Sequence, residues 1–285
     1  MSFLLKWKNF CLDLGNRTHI MGILNVTPDS FFDGGRYIEK EKAVEHGIRL
    51  AEQGADIIDV GGESTRPYSK RISAQEEMDR VIPVIESLAN QVDIPISIDT
   101  YKSEVAREAI KAGASIINDI SAFRFDSKMA ELAAQEGIPV VLMHMKGRPE
   151  NMQDNPEYED LMGEIISFLR DVKQDAIKKG IKEEHIILDP GIGFGKRPEH
   201  NLEIIRSLNL LSELNSPILT GPSNKAFIAR IVGTKAEDRE IGTMAVIACA
   251  IMNGAHIIRV HNVEKAVKTA KIVDAIKRAR HDSLY

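Results

Sequence analysis

Short runs of β-branched and aliphatic residues alternate along this chain with longer segments in which apolar positions recur every three or four residues. The runs are Ile20–Asn25, Asp56–Gly61, Pro95–Asp99, Ser115–Asp119, Pro139–His144, His185–Asp189, Pro217–Gly221 and His256–Val260. Between them lie amphipathic stretches such as Glu39–Gln53, Ser73–Asn90, Lys102–Ala112 and Asp160–Lys179. Apolar runs of this kind suit strands buried on both faces, and helical segments between them imply parallel βαβ units. Eight such units in 285 residues predict an α/β fold of the closed (β/α)8 TIM-barrel type. The alternative, a doubly wound open sheet, usually has about five or six strands.

Three segments echo one another: Gly54–Asp59, Gly113–Asn118 and Gly254–Arg259. Each opens on Gly-Ala, which suits a helix end, passes through paired isoleucines, and arrives at a polar residue. The first 19 or so residues precede the barrel, and two apolar bits flanking Gly15-Asn16 predict a small hairpin that plugs its floor. No Pro/Gly/Ser-rich linker divides the chain, so residues 1–285 read as one domain, with the hairpin in 1–19 and the barrel in 20–281. The longest loops are expected after the first and second barrel strands, over Val26–Ile38 and Gly62–Ile72.

The formal charge of −5 argues against nucleic-acid binding, which calls for a basic stripe. Any phosphate would therefore be held by a few placed cations. Cys11 and Cys249 stand in unrelated contexts and read as reduced thiols. No apolar run reaches the roughly 18–20 residues of a membrane span, and Met1–Lys8 is broken by lysines and lacks a signal-peptide pattern. A cytoplasmic protein is expected.

The strand ends read Asn25, Asp59, Asp99, Asn118, His144, Asp189, Gly221 and Arg259 with His261. Barrel enzymes place their chemistry on this rim. One buried polar residue there would read as a satisfied core group; so many together point to a polar ligand. Asp99, Asn118 and Asp189 carry planar groups of the kind that read an amino-pyrimidinone edge by paired hydrogen bonds. Arg259, His261 and Asn25 suit phosphoryl oxygens, and the Asn25 carbonyl suits Mg²⁺, which keeps several waters. Gly191–Lys196 lacks the spacing of a phosphate-binding loop; its glycines allow a tight turn, with Phe194 able to cover a flat ring. Glu63–Pro67 presents hydroxyls and a guanidinium on a loop, or alternatively a helix cap beside a solvated arginine.

These residues bring the family into view. Met21-Gly22-Ile23-Leu24-Asn25-Val26-Thr27-Pro28-Asp29-Ser30-Phe31 with Asp33-Gly34-Gly35, and Gly61-Gly62-Glu63-Ser64-Thr65-Arg66-Pro67, resemble the first two signatures of the dihydropteroate synthases. Ser97–Thr100, Ile117–Asp119, Leu142–His144, Leu188–Gly195 and Arg259–His261 continue the series in order, so the likeness runs from about 20 to about 275. The resemblance implies a transferase that joins a pterin pyrophosphate to p-aminobenzoate and releases pyrophosphate. It implies that Asp99, Asn118, Asp189 and Lys225 hold the pterin, with Phe194 and Met143 lining its pocket. Thr65, Arg259 and His261 would hold the pyrophosphate, with Arg66 arriving on its loop, and Asn25 would ligate Mg²⁺. Phe31 and Pro67 would help form the p-aminobenzoate pocket, and Asp33 would assist near the acceptor amine. The candidate catalytic set is thus Asp99, Asp189, Lys225, Arg259 and His261. No nucleophilic side chain is needed, and a homodimer is expected from the family's habit.

One segment departs from the pattern. After the seventh strand the family usually reads Ser-Arg-Lys-Ser; here Gly221-Pro222 leads into Ser223-Asn224-Lys225-Ala226. A helix start attracts anions, so the acceptor carboxylate is expected near Ser223, with one cation and one hydroxyl fewer. Three consequences stay open: p-aminobenzoate held by backbone N–H groups, better tolerance of sulfonamide mimics, or a diverged paralogue without synthase activity. Two other classes compete, a methyltetrahydrofolate-binding methyltransferase barrel and a non-catalytic pterin-binding protein. The first is expected to lack both loop signatures.

Overall fold

A computed structural model describes residues 3–27, 35–66 and 68–279, with 35–39 as backbone only. Two short strands open the chain, β1 (Leu4–Trp7) and β2 (Phe10–Asp13), paired antiparallel. Their turn is at Lys8-Asn9, since Trp7 pairs with Phe10 and Lys8 takes φ +43°. This corrects the expected turn at Gly15-Asn16, which instead leads from the hairpin into the barrel: Gly15 N–H is held by Asp13 Oδ1 at 3.1 Å. Apolar residues on both sides of Gly15-Asn16 left the two turns indistinguishable by pattern. The hairpin does sit beneath the barrel. Leu5, Trp7 and Leu14 are buried, and the Lys6 carbonyl lies 2.9 Å from His185 Nε2, next to the start of a barrel strand.

Eight parallel strands follow: β3 (His19–Asn25), β4 (Ile57–Gly61), β5 (Ile96–Asp99), β6 (Ile116–Asp119), β7 (Val140–Met143), β8 (Ile186–Asp189), β9 (Leu219–Thr220) and β10 (Ile257–Val260). Their order is β8-β7-β6-β5-β4-β3-β10-β9. A bridge between Leu188 and Ile218 joins the two ends, so the sheet closes into the expected barrel. The paired isoleucines 57/58, 116/117 and 257/258 are completely buried. Each such side chain contributes about 1.5–3 kcal/mol of hydrophobic stabilisation.

The outer layer is α1 (Gly35–Glu52), α2 (Ala74–Ala89), α3 (Ser103–Lys111), α4 (Lys128–Glu136), α5 (Leu161–Lys178), α6 (Pro198–Arg206), α7 (Ala226–Val232), α8 (Ala236–Met252) and α9 (Val263–Arg278). Local chemistry sets the ends. Ser73 caps α2 by accepting from Glu76 N–H at 3.1 Å, and Asp160 caps α5 through Gly163 N–H at 3.0 Å. Gly137, left-handed at φ +61°, closes α4. Val81, Val84, Ile85 and Leu88 bury one face of α2, the period read from the sequence. In α8, Ile247, Ala250 and Ile251 are buried while Ile241 and Met252 are exposed. That segment therefore serves the core with one face and leaves the other uncovered.

Candidate functional site

Parallel register brings four positions to one level: Asn25 pairs with Gly61, Gly61 with Asp99, and Asp99 with Asn118. Met143 pairs with Asp189 two residues further along their strands. A cavity on this rim is lined by Thr65, Asp99, Asn118, Ile120, Met143, Asp189, Ile192, Phe194, Gly221, Lys225 and Arg259. Nine of these eleven were expected from sequence; Ile120 and Ile192 were not, because an apolar residue just past a strand end carries no signal of its own. A second cavity, of about 700 Å³, lies at the opposite end of the barrel between Phe3, Thr18, Ser216 and His256. It is the roomier of the two but holds none of the rim residues.

Arg259 is the hub of the rim. Its Nε donates to Asp59 Oδ2 at 2.6 Å and its Nη2 to Asp99 Oδ2 at 2.6 Å, which holds the guanidinium pKa above its ordinary value against the effect of burial. Asn118 Nδ2 donates to the same Asp59 oxygen at 3.0 Å. Burial raises the Asp99 pKa to about 7, with Arg259 pulling the other way. Burial likewise raises Asp189 to about 6, opposed by the hydrogen bond from Gly191 N–H (2.6 Å) and by Lys225. Lys225 falls to about 8, through burial first and Arg259 second. Its ammonium lies 4.3 Å from the centre of the Phe194 ring, a cation–π contact that fixes both.

The Phe194 loop depends on its glycines. Gly191, Gly193 and Gly195 all have positive φ, at +73°, +84° and +62°. A Cβ on Gly191 would fall 1.9 Å from the His144 carbonyl oxygen, and one on Gly195 2.3 Å from that of Lys146. Only glycine fits both the angle and the gap. Lys196 then turns inward, its Nζ 2.9 Å from His144 Nδ1 and 3.0 Å from the Phe194 carbonyl. His144, expected on the rim, thus belongs to the support of the loop. Burial and Lys196 lower its pKa to about 2, so the ring is neutral.

Ser223 Oγ lies 2.9 Å from His261 Nδ1 and accepts from His261 N–H at 3.3 Å. Sequence reading set these two in different pockets; the structure joins them. Desolvation by the rim, then Arg259, Lys225 and Arg66, lower the His261 pKa, although the residue remains exposed to solvent. It therefore acts as a neutral donor or acceptor. Arg66 is exposed on its loop and Thr65 half-buried. The base of that loop is tied down: Glu63 accepts from Lys102 Nζ (2.5 Å) and Tyr101 OH (2.5 Å), and Lys102 Nζ also reaches Glu77 (2.6 Å) and the Ile72 carbonyl (3.0 Å). Neither Glu63 nor Lys102 was singled out from sequence, since a loop–helix ion pair has no spacing signature.

Asn25 ends β3, half-buried, and its side chain makes no hydrogen bond within the described residues. Among those residues no three His, Cys, Asp or Glu side chains converge as a metal site. Phe31, Asp33 and Pro67 lie outside the described residues.

A family model for the pterin binding enzymes matches residues 21–261. The dihydropteroate synthase of Bacillus subtilis is 46% identical over 269 residues, covering 94% of this chain and 92% of that protein. The Xanthomonas albilineans dihydropteroate synthase, solved with 4-aminobenzoic acid, superposes with a TM-score of 0.91 at 42% identity, covering 98% of this chain and all of that one. Its complex with 7,8-dihydropteroate gives 0.88 at 40% identity, with 97% and 100% coverage. A rim of this composition on a closed barrel, matched over almost its whole length, places the chain: it belongs to the pterin-binding enzyme family.

Proposed function

We infer that this chain is a dihydropteroate synthase, condensing 6-hydroxymethyl-7,8-dihydropterin pyrophosphate with p-aminobenzoate to give 7,8-dihydropteroate and pyrophosphate. The observation that carries the reading is the cavity itself, lined together by two carboxylates, an amide, an ammonium, a guanidinium and an aromatic ring. Methyltransferase and non-catalytic readings have no comparable support, since named relatives over the whole chain are synthases.

The proposed roles follow from the geometry. Asp189, Asn118 and Lys225 hold the pterin, with Met143 and Phe194 against its faces. Asp99 stands where negative charge favours the cation that develops at the pterin methylene as the C–O bond breaks. Arg259, Thr65 and the neutral His261 stabilise the departing pyrophosphate, a preorganised electrostatic role. The arylamine attacks the methylene carbon, forming the C–N bond, and loses its proton to solvent or to a nearby carboxylate. Ser223 supports His261, and Gly221 lines the cavity with Arg259. Arg66, with Phe31, Asp33 and Pro67 from the long loops, is assigned to the acceptor side.

The donor chemistry fits Mg²⁺: the Asn25 amide oxygen, without a hydrogen bond among the described residues, suffices for an ion that keeps waters and takes its other oxygens from phosphate. When bound, the ion would add positive charge at the leaving group. Leu202, Ile231, Val232 and Ile241 expose apolar side chains on the neighbouring helices α6, α7 and α8, which supports a homodimer, to be checked by sedimentation. Cys11 and Cys249 are free, and no helix among the described residues is long and apolar enough to cross a membrane; a cytoplasmic site is proposed. The deciding test is pyrophosphate release from the pterin pyrophosphate with and without p-aminobenzoate. Acceptor-dependent release is expected; none at any acceptor concentration would overturn the assignment.

A further inference from the structure

We propose that Asp59, which lines no part of the substrate cavity, is the positioning residue that sets the direction of both the Asn118 amide and the Arg259 guanidinium. This rests on the synthase reading and adds a residue to it. Asp59 sits in the middle of β4, wholly buried. Its Oδ2 receives Asn118 Nδ2 at 3.0 Å and Arg259 Nε at 2.6 Å, so one oxygen links β6 to β10 across the barrel mouth.

Both contacts have a definite sense. A carboxylate paired with a guanidinium only accepts hydrogen bonds. The Asn118 atom facing it must be the NH₂ group, and the amide oxygen is therefore left for the cavity. Asn118 is thus presented to the ligand as an acceptor, matched to an N–H on the pterin edge. With Nε on Asp59 and Nη2 on Asp99, the Arg259 fork is pinned along one side. Nη1 is the nitrogen left to meet a phosphoryl oxygen.

Oδ1 is buried with no hydrogen-bond partner among the described residues. Every hydrogen bond that Asp59 accepts through its side chain therefore falls on Oδ2, and both donors are rim side chains that line the cavity. Removing Asp59 leaves these two donors without their acceptor, so a loss of stability is expected beside the loss of orientation, and the probe affinities separate the two.

The test uses Asp59→Ala and Asp59→Asn in the full-length protein, with two probes by calorimetry: 6-hydroxymethylpterin, which reads Asn118, and inorganic pyrophosphate, which reads Arg259. Asp59→Ala is expected to weaken the pterin by about tenfold or more, the loss of a hydrogen bond that holds a binding group, and to weaken pyrophosphate as well. The KM for p-aminobenzoate should stay within about twofold of wild type, because among the described residues the Asp59 side chain bonds only to Asn118 and Arg259. Asp59→Asn keeps an acceptor oxygen in the same place and is expected to restore pterin affinity to within about threefold. If Asp59→Ala does not fold, Asp59→Cys, of similar volume and only a weak acceptor, carries the same expectation. Wild-type probe affinities in the Ala or Cys variant would overturn the proposal, as would equal losses in Ala and Asn or a parallel rise in the p-aminobenzoate KM. Wild-type protein without turnover would sink the synthase reading instead, so the two failures are distinct.

Discussion

Arg259 donates to Asp99 at 2.6 Å although β10 and β5 are separated in the sheet by β3 and β4. By register Arg259 pairs with Met21, four residues before the Asn25–Gly61–Asp99 row, so its long side chain spans the difference, and the contact leaves one guanidinium between the Asp59 and Asp99 carboxylates. Arg259→Met would strand Asp59 and Asp99 together. A loss of about 3–5 kcal/mol in urea unfolding is expected, the usual cost of removing one partner from a buried pair. Arg259→Lys should recover part of that stability but not the activity, because an ammonium cannot span the two carboxylates as a planar fork does.

The pH profile of kcat/KM for the pterin pyrophosphate is expected to be bell-shaped. Asp99 and Asp189, raised to about 7 and about 6 by burial, must shed their protons to favour a developing cation, so the acid limb falls between those values. Lys225, lowered to about 8, loses its charge above that point and sets the alkaline limb. The two limbs belong to interacting groups and describe the site as a whole. A profile flat from pH 5 to 9 would contradict these assignments.

Stability should run the other way. Asp189 binds its proton more tightly folded (about 6) than at its ordinary value of 3.8. Its contribution therefore rises as pH falls from about 6 towards 4 and is lost as pH rises through 6. Asp189→Asn removes that dependence. The variant is expected to gain on the order of 2 kcal/mol over wild type at pH 8, shrinking to nothing near pH 4. Chemical denaturation at the two values checks the sign.

How much of this was legible in the sequence depended on the range of the signal. Strand ends such as Asp99, Asn118 and Asp189 follow apolar runs, so the barrel rule located them without any contact being known. The glycines of 191–195 were legible as a turn for the same local reason. Asp59 was read among the strand ends but lies in the middle of β4, and it had no assignable role because its meaning lies in Asn118 and Arg259, 59 and 200 residues away. The hairpin turn was misplaced since apolar residues flank both of its candidate positions. Lys196 and Lys102 carry no signal of their roles in the sequence; only packing shows that each is turned inward onto fixed acceptors.

Lys102 carries the next expectation. It stands between Glu63 and Glu77, whose side chains are 8% and 1% exposed, and burial already raises the Glu77 pKa. Lys102→Met would leave two buried carboxylates without a cation and free the base of the loop that carries Thr65 and Arg66. A loss of about 3 kcal/mol is expected, with the KM values for p-aminobenzoate and for the pterin pyrophosphate both raised, since the loop carries Arg66 for one and Thr65 for the other. Lys102→Arg should restore most of both. Unchanged KM values would place the effect outside the loop.

The altered segment after β9 gives the last expectation. Asn224 adopts φ +56°, a left-handed conformation that asparagine tolerates better than arginine does, and its N–H lies 3.5 Å from Thr243 Oγ1. Lys225 stands at the cap of α7 without a side-chain cap bond. A seven-residue helix contributes little dipole of its own, so side chains weigh heavily in holding an anion there. Relatives that carry arginine and serine at these positions would have two more groups for the acceptor carboxylate. Asn224→Arg with Ala226→Ser is therefore expected to lower the p-aminobenzoate KM several-fold and to strengthen sulfonamide inhibition by a similar factor, each added charged contact being worth about 0.5–1.5 kcal/mol. The arginine costs about 1 kcal/mol in backbone strain, so the double variant should also melt slightly earlier than wild type. Unchanged sulfonamide potency in that variant would show that Asn224 and Ala226 do not shape the acceptor site, and would move attention to the long loops after β3 and β4.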